Sequence, residues 1–450
     1  MSELLNDAAR RGSAYLDAIE TRSVAPSPDA VARLAEMGGA LPEAPSDPSE
    51  VLALLDDVGS PATLGVAGPR FFGWVIGGTL PAALAANWLA GAWDQNAAHV
   101  ATSPVAAEAE AVSLRWLLDV LKLPASAGGG FVTGATMANF TCLAAARHAV
   151  LSAAGWDVEA DGLFGAPPVT VVLGAEAHVS VRKALGLLGF GRQRVIEAPV
   201  DDQGRMRSDS LPALAGPAIV VTQAGNVNTG ASDPFRTIID RARDANAWVH
   251  VDGAFGLWAA AAPDRAHLVD GVAEADSWAT DAHKWLNVPY DSGVAFVRDA
   301  DALRATMSVT AAYLKTGGAR EPADFTPELS RRARGIEIWA ALRSLGRTGL
   351  ADLVERCCRH AQRFADGLLA AGYEVLNDVV LNQVLVSFGS DDETNRVIAA
   401  IQSDGTCWCG GTVWQGRTAM RISVSSWRTT EDDVERSLEV MLRLAASTAG

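Results

Sequence analysis

From about residue 105 to residue 300 the chain alternates between two textures. Runs such as AAEAEAVSLRWLLDVL, SVRKALGLLG and DPFRTIIDRARDAN repeat apolar positions at the spacing of helices that bury one face. Between them lie short apolar runs bounded by Gly or Pro: PVTVVLG (168–174), AIVVTQAG (218–225), WVHVDGAFG (248–256) and GVAFVR (293–298). Strands that are apolar on both sides belong inside a sheet covered on both faces, so the alternation predicts an α/β fold with a mainly parallel sheet. Ligands of such sheets bind at the carboxyl ends of the strands, where this chain places its most unusual polar residues.

The texture changes near residue 340. Helical GIEIWAALRSLG and LADLVERCCRHAQRFADGLLAAG lead into strand-like VLNQVLVSF and AMRISVSS, then a last helix, EDDVERSLEVMLRLAAS. Residues 1–65 are helical and amphipathic in pieces, broken by VAPSPD and LPEAPSDPSE, whose prolines mark turns. The expected organisation is an N-terminal helical segment (1–65), a large domain (66–340) and a small C-terminal α+β domain (341–450).

One run departs from this pattern. FFGWVIGGTLPAALAANWLAGAW (71–93) has no charge, and its length would span a bilayer. Gly77, Gly78 and Pro81 break it, and Thr79-Leu80-Pro81 has the form of a cap and first helical turn. The expectation is a shorter buried helix from near residue 80, with Trp74, Trp88 and Trp93 in the core or a pocket wall.

Charge and cysteine usage narrow the partners. A net charge of −16 argues against nucleic acid and anionic membranes, although local backbone dipoles can still hold a small anion. The five cysteines (Cys142, Cys357, Cys358, Cys407 and Cys409) are odd in number and clustered, which fits a reducing cytoplasm. Cys407 and Cys409 lack the further Cys or His groups of a zinc site, so no metal is expected. The N-terminal MSELLNDAARRGSAYL has no apolar signal core, and no export segment is expected.

The candidate chemistry begins with a scarcity. The chain has 33 Arg but only four Lys, and one of them, Lys284, stands in TDAHKWLNVPYDSG (280–293). Arg is permanently charged, whereas a Lys amine among apolar and aromatic neighbours can lose its proton and act as a nucleophile. Three other features precede it. In GGGFVTGATMANF, Gly134, Ala135 and Thr136 open a helix whose N–H groups could hold a phosphate, or could simply form a capped start. His178, in AEAHVSV, suits either a flat ring or a helix cap. Asp252, at the end of an otherwise apolar strand, needs a partner, either a protonated ring nitrogen or the next turn.

In order, these features have the layout of a site for pyridoxal 5′-phosphate (PLP): phosphate cradle, ring-stacking imidazole, carboxylate for the ring nitrogen, and amine for the aldehyde. The chain resembles the group II PLP-dependent amino-acid decarboxylases, typified by aromatic-L-amino-acid decarboxylase. The resemblance is carried by GPRFFGWVIGGTLP, SPVAAEAEAVSLRWLLDVLKLP, TGATMANFTCLAAAR, AEAHVSV, HVDGAFG, DAHKWLNVPYDSG and SRRARGIEIWAALRSLGRTG.

It implies the type I fold of aspartate aminotransferase and a cytoplasmic homodimer with active sites at its interface. Lys284 would bind the cofactor aldehyde, with His283 beside the phosphate and Gly134, Ala135 and Thr136 holding it. His178 would stack on the ring, Asp252 would pair with the pyridine nitrogen, and Ala254 would pack against the ring. Asn226 falls in a loop near the cofactor. Relatives carry Asn where this chain has Asp281, so Asp281 is expected to point away from the phosphate or to leave its role to Thr280. Tyr313, in TAAYLKTGG, matches the tyrosine that returns a proton after CO2 leaves, which argues for an amine product. Trp74, Val75 and Ile76 match the substrate wall, with His99 and Ser103 contributed by the other subunit. This apolar wall leans toward aromatic or apolar substrates.

The expected function is therefore decarboxylation of an L-amino acid. A carbon–carbon lyase and an aldehyde-forming enzyme are rivals on the same scaffold, and a silent scaffold protein is a rival of another class. Cysteine desulfurisation finds no activated thiol.

Overall fold

The computed structural model describes residues 1–309 and 320–448. By packing of the backbone the chain forms two compact units. One comprises Met1–Gly78, Gln362–Leu376 and Val384–Gly450, and the other comprises Thr79–Ala361 and Asn377–Gln383.

The larger unit is built on a seven-stranded sheet. In chain order its strands are β1 (Gly128–Val132), β2 (Thr170–Gly174), β3 (Ile196–Ala198), β4 (Ala218–Gln223), β5 (Trp248–Asp252), β6 (Ser277–Asp281) and β7 (Gly293–Val297). Across the sheet they run β1-β7-β6-β5-β4-β2-β3. From β6 to β3 every pairing is parallel, while β7 is antiparallel to both β6 and β1. β4, β5, β6 and β7 are buried along their whole lengths, and all but β6 (SWATD) are accordingly mainly apolar rather than alternating. The helix Ala135–Ala153 lays Ala138, Cys142, Leu143, Ala145 and Ala146 into this core with Leu173, Val221, Ala279 and Ala295.

Two glycine clusters explain local geometry. A Cβ on Gly129 would lie 2.7 Å from the Phe296 ring, and one on Gly130 would lie 2.6 Å from Thr326 Cγ2, so β1 is a strand because its glycines permit close packing. A Cβ on Gly293 would meet Gly134 Cα at 2.4 Å. The start of β7 and the start of the helix Ala135–Ala153 therefore touch backbone to backbone.

The other unit holds a smaller sheet with β8 (Glu374–Val375), most of β9 (Gln383–Ser387), β10 (Gly410–Trp414) and β11 (Arg417–Ser423), in the order β10-β11-β9-β8. The helices Asp391–Asp404 and Glu431–Thr448 accompany it, the first opened by a capping box between Ser390 and Glu393.

The uncharged run at 71–93 differs from expectation. Its helix is Pro81–Trp93, with Pro81 in the first turn and Leu80, not Thr79, at the cap. Trp88 and Trp93 were expected in the core or a pocket wall, yet they are 46% and 45% exposed, and Leu89 is 54% exposed. Nothing among the described residues covers this apolar face. No helix among the described residues is long and apolar enough to cross a membrane. All five cysteines are buried and outside any disulfide.

Candidate active site

Parallel strands β4, β5 and β6 lie side by side, and each ends on a polar residue: Gln223, Asp252 and Asp281. The loops after β1 and β2 add Thr133–Thr136 and His178, and the turn after β6 adds His283 and Lys284. With Ser180, Gly225, Val227, Ala254 and Phe255 they line one cavity of about 330 Å3. That volume is within the range of small-molecule sites, roughly 300–1,000 Å3. Gly134, Ala135, Thr136, His178, Asp252, Ala254, His283 and Lys284 are thus brought together, as the sequence suggested.

Asp252 is the most deeply placed of them. Burial pushes its carboxyl up, opposed by the charges of His178 and Lys284 and by hydrogen bonds from the Asn139 amide and the Ala254 N–H. Asn139 Nδ2 donates to Oδ2 at 3.2 Å, and the Ala254 N–H donates to Oδ1 at 3.2 Å. A buried carboxylate held by neutral donors and by charges at a distance is well suited to receive a cation.

Behind Asp252 runs a hydrogen-bonded chain that the sequence analysis missed. Trp248 Nε1 donates to Ser277 Oγ at 2.9 Å, and Ser277 Oγ lies 2.9 Å from His250 Nδ1. His250 Nε2 lies 2.8 Å from Asn139 Oδ1, and Asn139 Nδ2 reaches both Asp252 and Ser180 Oγ, the latter at 3.4 Å. Ser180 Oγ in turn lies 2.8 Å from His178 Nδ1. Burial pushes the His250 imidazole down to about 3, so the ring is neutral near pH 7. Because Asn139 Oδ1 can only accept, the His250 proton sits on Nε2 and Ser277 donates to Nδ1. The Asn139 amide is thereby oriented to point its N–H groups at Asp252. A signal for this was present: His250 and Asp252 are two apart on one strand and share a face of β5.

Asp281 departs from expectation. It does not point away but lines the cavity, 2% exposed. Its Oδ1 accepts the Ala135 N–H at 2.6 Å, and its Oδ2 lies 3.1 Å from Lys284 Nζ. A negative charge at a helix start and beside an ammonium is favourable, which explains the orientation. Thr280, offered as its substitute, is fully buried on β6, does not line the cavity, and its Oγ1 has no partner among the described residues. His283 accepts the Ser292 N–H on Nδ1 at 3.0 Å, stacks on Tyr290 with centroids 4.2 Å apart, and is pushed down chiefly by burial.

Other expected residues lie elsewhere. Asn226 is buried beneath its loop, where Oδ1 accepts the N–H groups of Asn228 and Thr229, while Gly225 and Val227 line the cavity instead. Ser103 is fully buried and caps the helix Pro104–Val120 by accepting the Ala106 N–H. His99 Nδ1 lies 3.4 Å from Glu321 Oε2. Tyr313 lies outside the described residues.

Trp74, Val75 and Ile76 belong to the other unit. Trp74 and Val75 adopt left-handed backbone angles, φ 49° and 59°, which are costly for a β-branched residue. Trp408 packs on Trp74 and Phe71 with centroids 4.6 and 5.1 Å away, and its backbone bonds to Phe72 and Arg70 hold the turn.

A family profile described as the pyridoxal-dependent decarboxylase conserved domain matches residues 36–389. The chain is 27% identical to an aromatic-L-amino-acid decarboxylase of Bacillus atrophaeus, over 90% of this chain and 86% of that protein. It is 32% identical to an L-2,4-diaminobutyrate decarboxylase of Rhizobium meliloti (strain 1021), over 80% of this chain and 74% of that protein. A solved structure of Oryza sativa TDC with PLP and tryptamine superposes with a TM-score of 0.92 at 24% identity, covering 100% of this chain and 98% of that one.

Proposed function

The chain belongs to the pyridoxal-dependent decarboxylase family, as a PLP-dependent carboxy-lyase of the type I fold, and from that premise we propose how its cavity is used and on what. The substrate is an L-amino acid with an aromatic or apolar side chain, and the products are the amine and CO2. One observation carries the assignment of roles: an amine, a deeply buried carboxylate and a helix start converge on one cavity at the carboxyl edge of the sheet.

The residues present fit the cofactor. Ala135 and Thr136, with Gly134 before them, offer backbone N–H groups and a hydroxyl to the phosphate, and His283 stands beside them. Asp252 accepts a ring N–H+, the charged donor that its buried position calls for. His178 would cover one ring face, Ala254 would leave room beside the ring, and Lys284 would supply the amine for the aldehyde, since all three line the cavity. When bound, PLP supplies an electron-accepting ring that takes up the electrons left behind as CO2 departs. Asp252 keeps the ring nitrogen protonated, Asn139 and His250 hold Asp252 in place, and the apolar wall behind Lys284 (Phe255, and Trp285 buried beneath) excludes water. Tyr313, at the position of the family's proton donor, favours the amine over an aldehyde.

Trp74 and Ile76, with His99 of a second subunit, are the candidates for the substrate wall in this proposal, while the buried Ser103 and Val75 are not. The uncovered Trp88, Leu89 and Trp93 support a homodimer. Five buried thiols and no disulfide suit the cytoplasm.

The test is a screen of L-amino acids on the PLP-loaded protein, scored by CO2 release with detection of amine, aldehyde and peroxide. Tryptophan, tyrosine and phenylalanine should turn over faster than L-2,4-diaminobutyrate, with amine as product. Preference for the diamino acid removes the aromatic assignment, and aldehyde with peroxide removes the amine. Lys284→Ala should lose the visible absorbance of bound PLP and lower turnover by about a thousand-fold or more; retained absorbance would displace Lys284 from its role.

A further inference from the structure

The carboxylate of Asp281 touches the groups that the reading above gives to the cofactor. Ala135, whose N–H is assigned to the phosphate, already donates it to Asp281 Oδ1 at 2.6 Å. His283, assigned to the phosphate's flank, has Nε2 3.6 Å from the same oxygen. Lys284, assigned to the aldehyde, has Nζ 3.1 Å from Oδ2. A Cβ on Gly134 would lie 3.5 Å from Oδ1, so the carboxylate also sits against the cradle's backbone. Asp281 is 2% exposed and lines the cavity, so this is a buried anion in the place where another anion is to bind.

We propose that Asp281 is an internal occupant of the phosphate cradle, a carboxylate that holds the helix start and Lys284 together in the cofactor-free protein and is displaced when the phosphate arrives. The inference rests on the PLP reading of the cavity and adds a competition to it. A helix N-terminus has few N–H groups and favours one anion. A second anion beside the first is repelled, and weakly screened at a buried site. The lysine that engages the aldehyde also gives up its ion pair with Asp281. Loading therefore exchanges two existing contacts of Asp281 for the new ones of the phosphate, and the cofactor-free cavity keeps its shape meanwhile.

An amide at this position changes both sides of the exchange. Its oxygen can still accept the Ala135 N–H, its NH2 can donate to a phosphate, and it carries no charge. Asp281→Asn should therefore weaken the empty protein and favour the loaded one, and only ligands that bear the phosphate should benefit.

The experiment titrates cofactor-free wild type and Asp281→Asn with inorganic phosphate, with pyridoxal and with PLP, following the thermal midpoint and the visible absorbance. We expect a lower midpoint for the cofactor-free variant. Phosphate and PLP should each bind about ten-fold tighter to it, equivalent to 1.4 kcal/mol, while pyridoxal shifts by less than about two-fold. Asp281→Ser, neutral and still able to accept the Ala135 bond, carries the same expectation and serves if the amide variant folds poorly. Unchanged or weaker phosphate binding in the neutral variants overturns the proposal, as does an equal gain for pyridoxal. Absence of visible absorbance in PLP-treated wild type would instead defeat the cofactor reading, while the inorganic phosphate titration still decides on Asp281.

Discussion

The carboxyl edge of the seven-stranded sheet and the helix Pro81–Trp93 are both rich in conspicuous side chains, but they resolve them differently. At the sheet edge, Asp252, Asn139, His250 and Asp281 are buried and each finds its hydrogen-bond or ionic partner within the chain. On the helix, Trp88, Leu89 and Trp93 stay about half exposed, and Ala83 is its one buried residue. The N-terminal segment resembles the helix in this, with Leu41 at 89% and Val51, Leu54 and Leu55 at 45–55% exposure. A buried polar group has to be satisfied by its own fold, whereas an apolar face can be completed by a second chain. The contrast separates polar groups that one chain satisfies alone from apolar faces that its described residues leave exposed.

The contrast can be broken at either end. Removing the carboxylate at the sheet edge should have the largest effect: Asp252→Ala should lower decarboxylation by about 10²–10³-fold, measured as CO2 release with PLP in excess, and leave the state of association unchanged. A near-normal rate would mean that the ring nitrogen does not depend on Asp252. On the helix, Trp88→Glu with Trp93→Glu should weaken self-association by about a hundred-fold, seen as monomer in sedimentation equilibrium. Association unchanged by the pair of substitutions would show that this face is not an interface.

The last effect concerns pH and is read on stability rather than on turnover or association. His250 falls from 6.5 in the unfolded chain to about 3 in the folded one, because burial disfavours its charge. The unfolded chain then binds the extra proton between those values, so this contribution is present above pH 6.5 and is lost as pH falls toward 3. The loss amounts to about 1.4 kcal/mol per pH unit over that window. His250→Gln should flatten the acid limb of a plot of stability against pH, read by denaturant unfolding. A limb as steep as that of wild type would exclude His250 as its source.

The sheet was legible where strands are mainly apolar, as in β2, β4, β5 and β7. β1 was hidden because its Gly128-Gly129-Gly130 reads as a turn, and only the packing against Phe296 and Thr326 makes it a strand. β6, Ser277–Asp281, was hidden because it mixes polar and apolar residues although all five are buried. The cavity residues were found where the motif was dense, around Lys284, Asp252 and His178. Asn139 was missed because a polar residue inside the helix ATMANFTCLAAAR looks like an ordinary exposed position until the helix is seen to be covered. Trp88 and Trp93 misled in the opposite sense, because composition cannot say whether an apolar face meets its own chain or another. Asp281 was correctly marked as the odd residue, but its direction depends on Lys284 and Ala135, which spacing alone does not orient.

The paired left-handed residues Trp74 and Val75 have a consequence for altering this protein. Left-handed angles at residues with branched or bulky side chains each cost roughly 1–3 kcal/mol, and here the packing of Trp408 holds the turn against that cost. Replacing Val75 by glycine would relax the backbone but empty a fully buried position, so tension and packing oppose each other in this turn, and relieving the strain alone does not yield a sturdier protein.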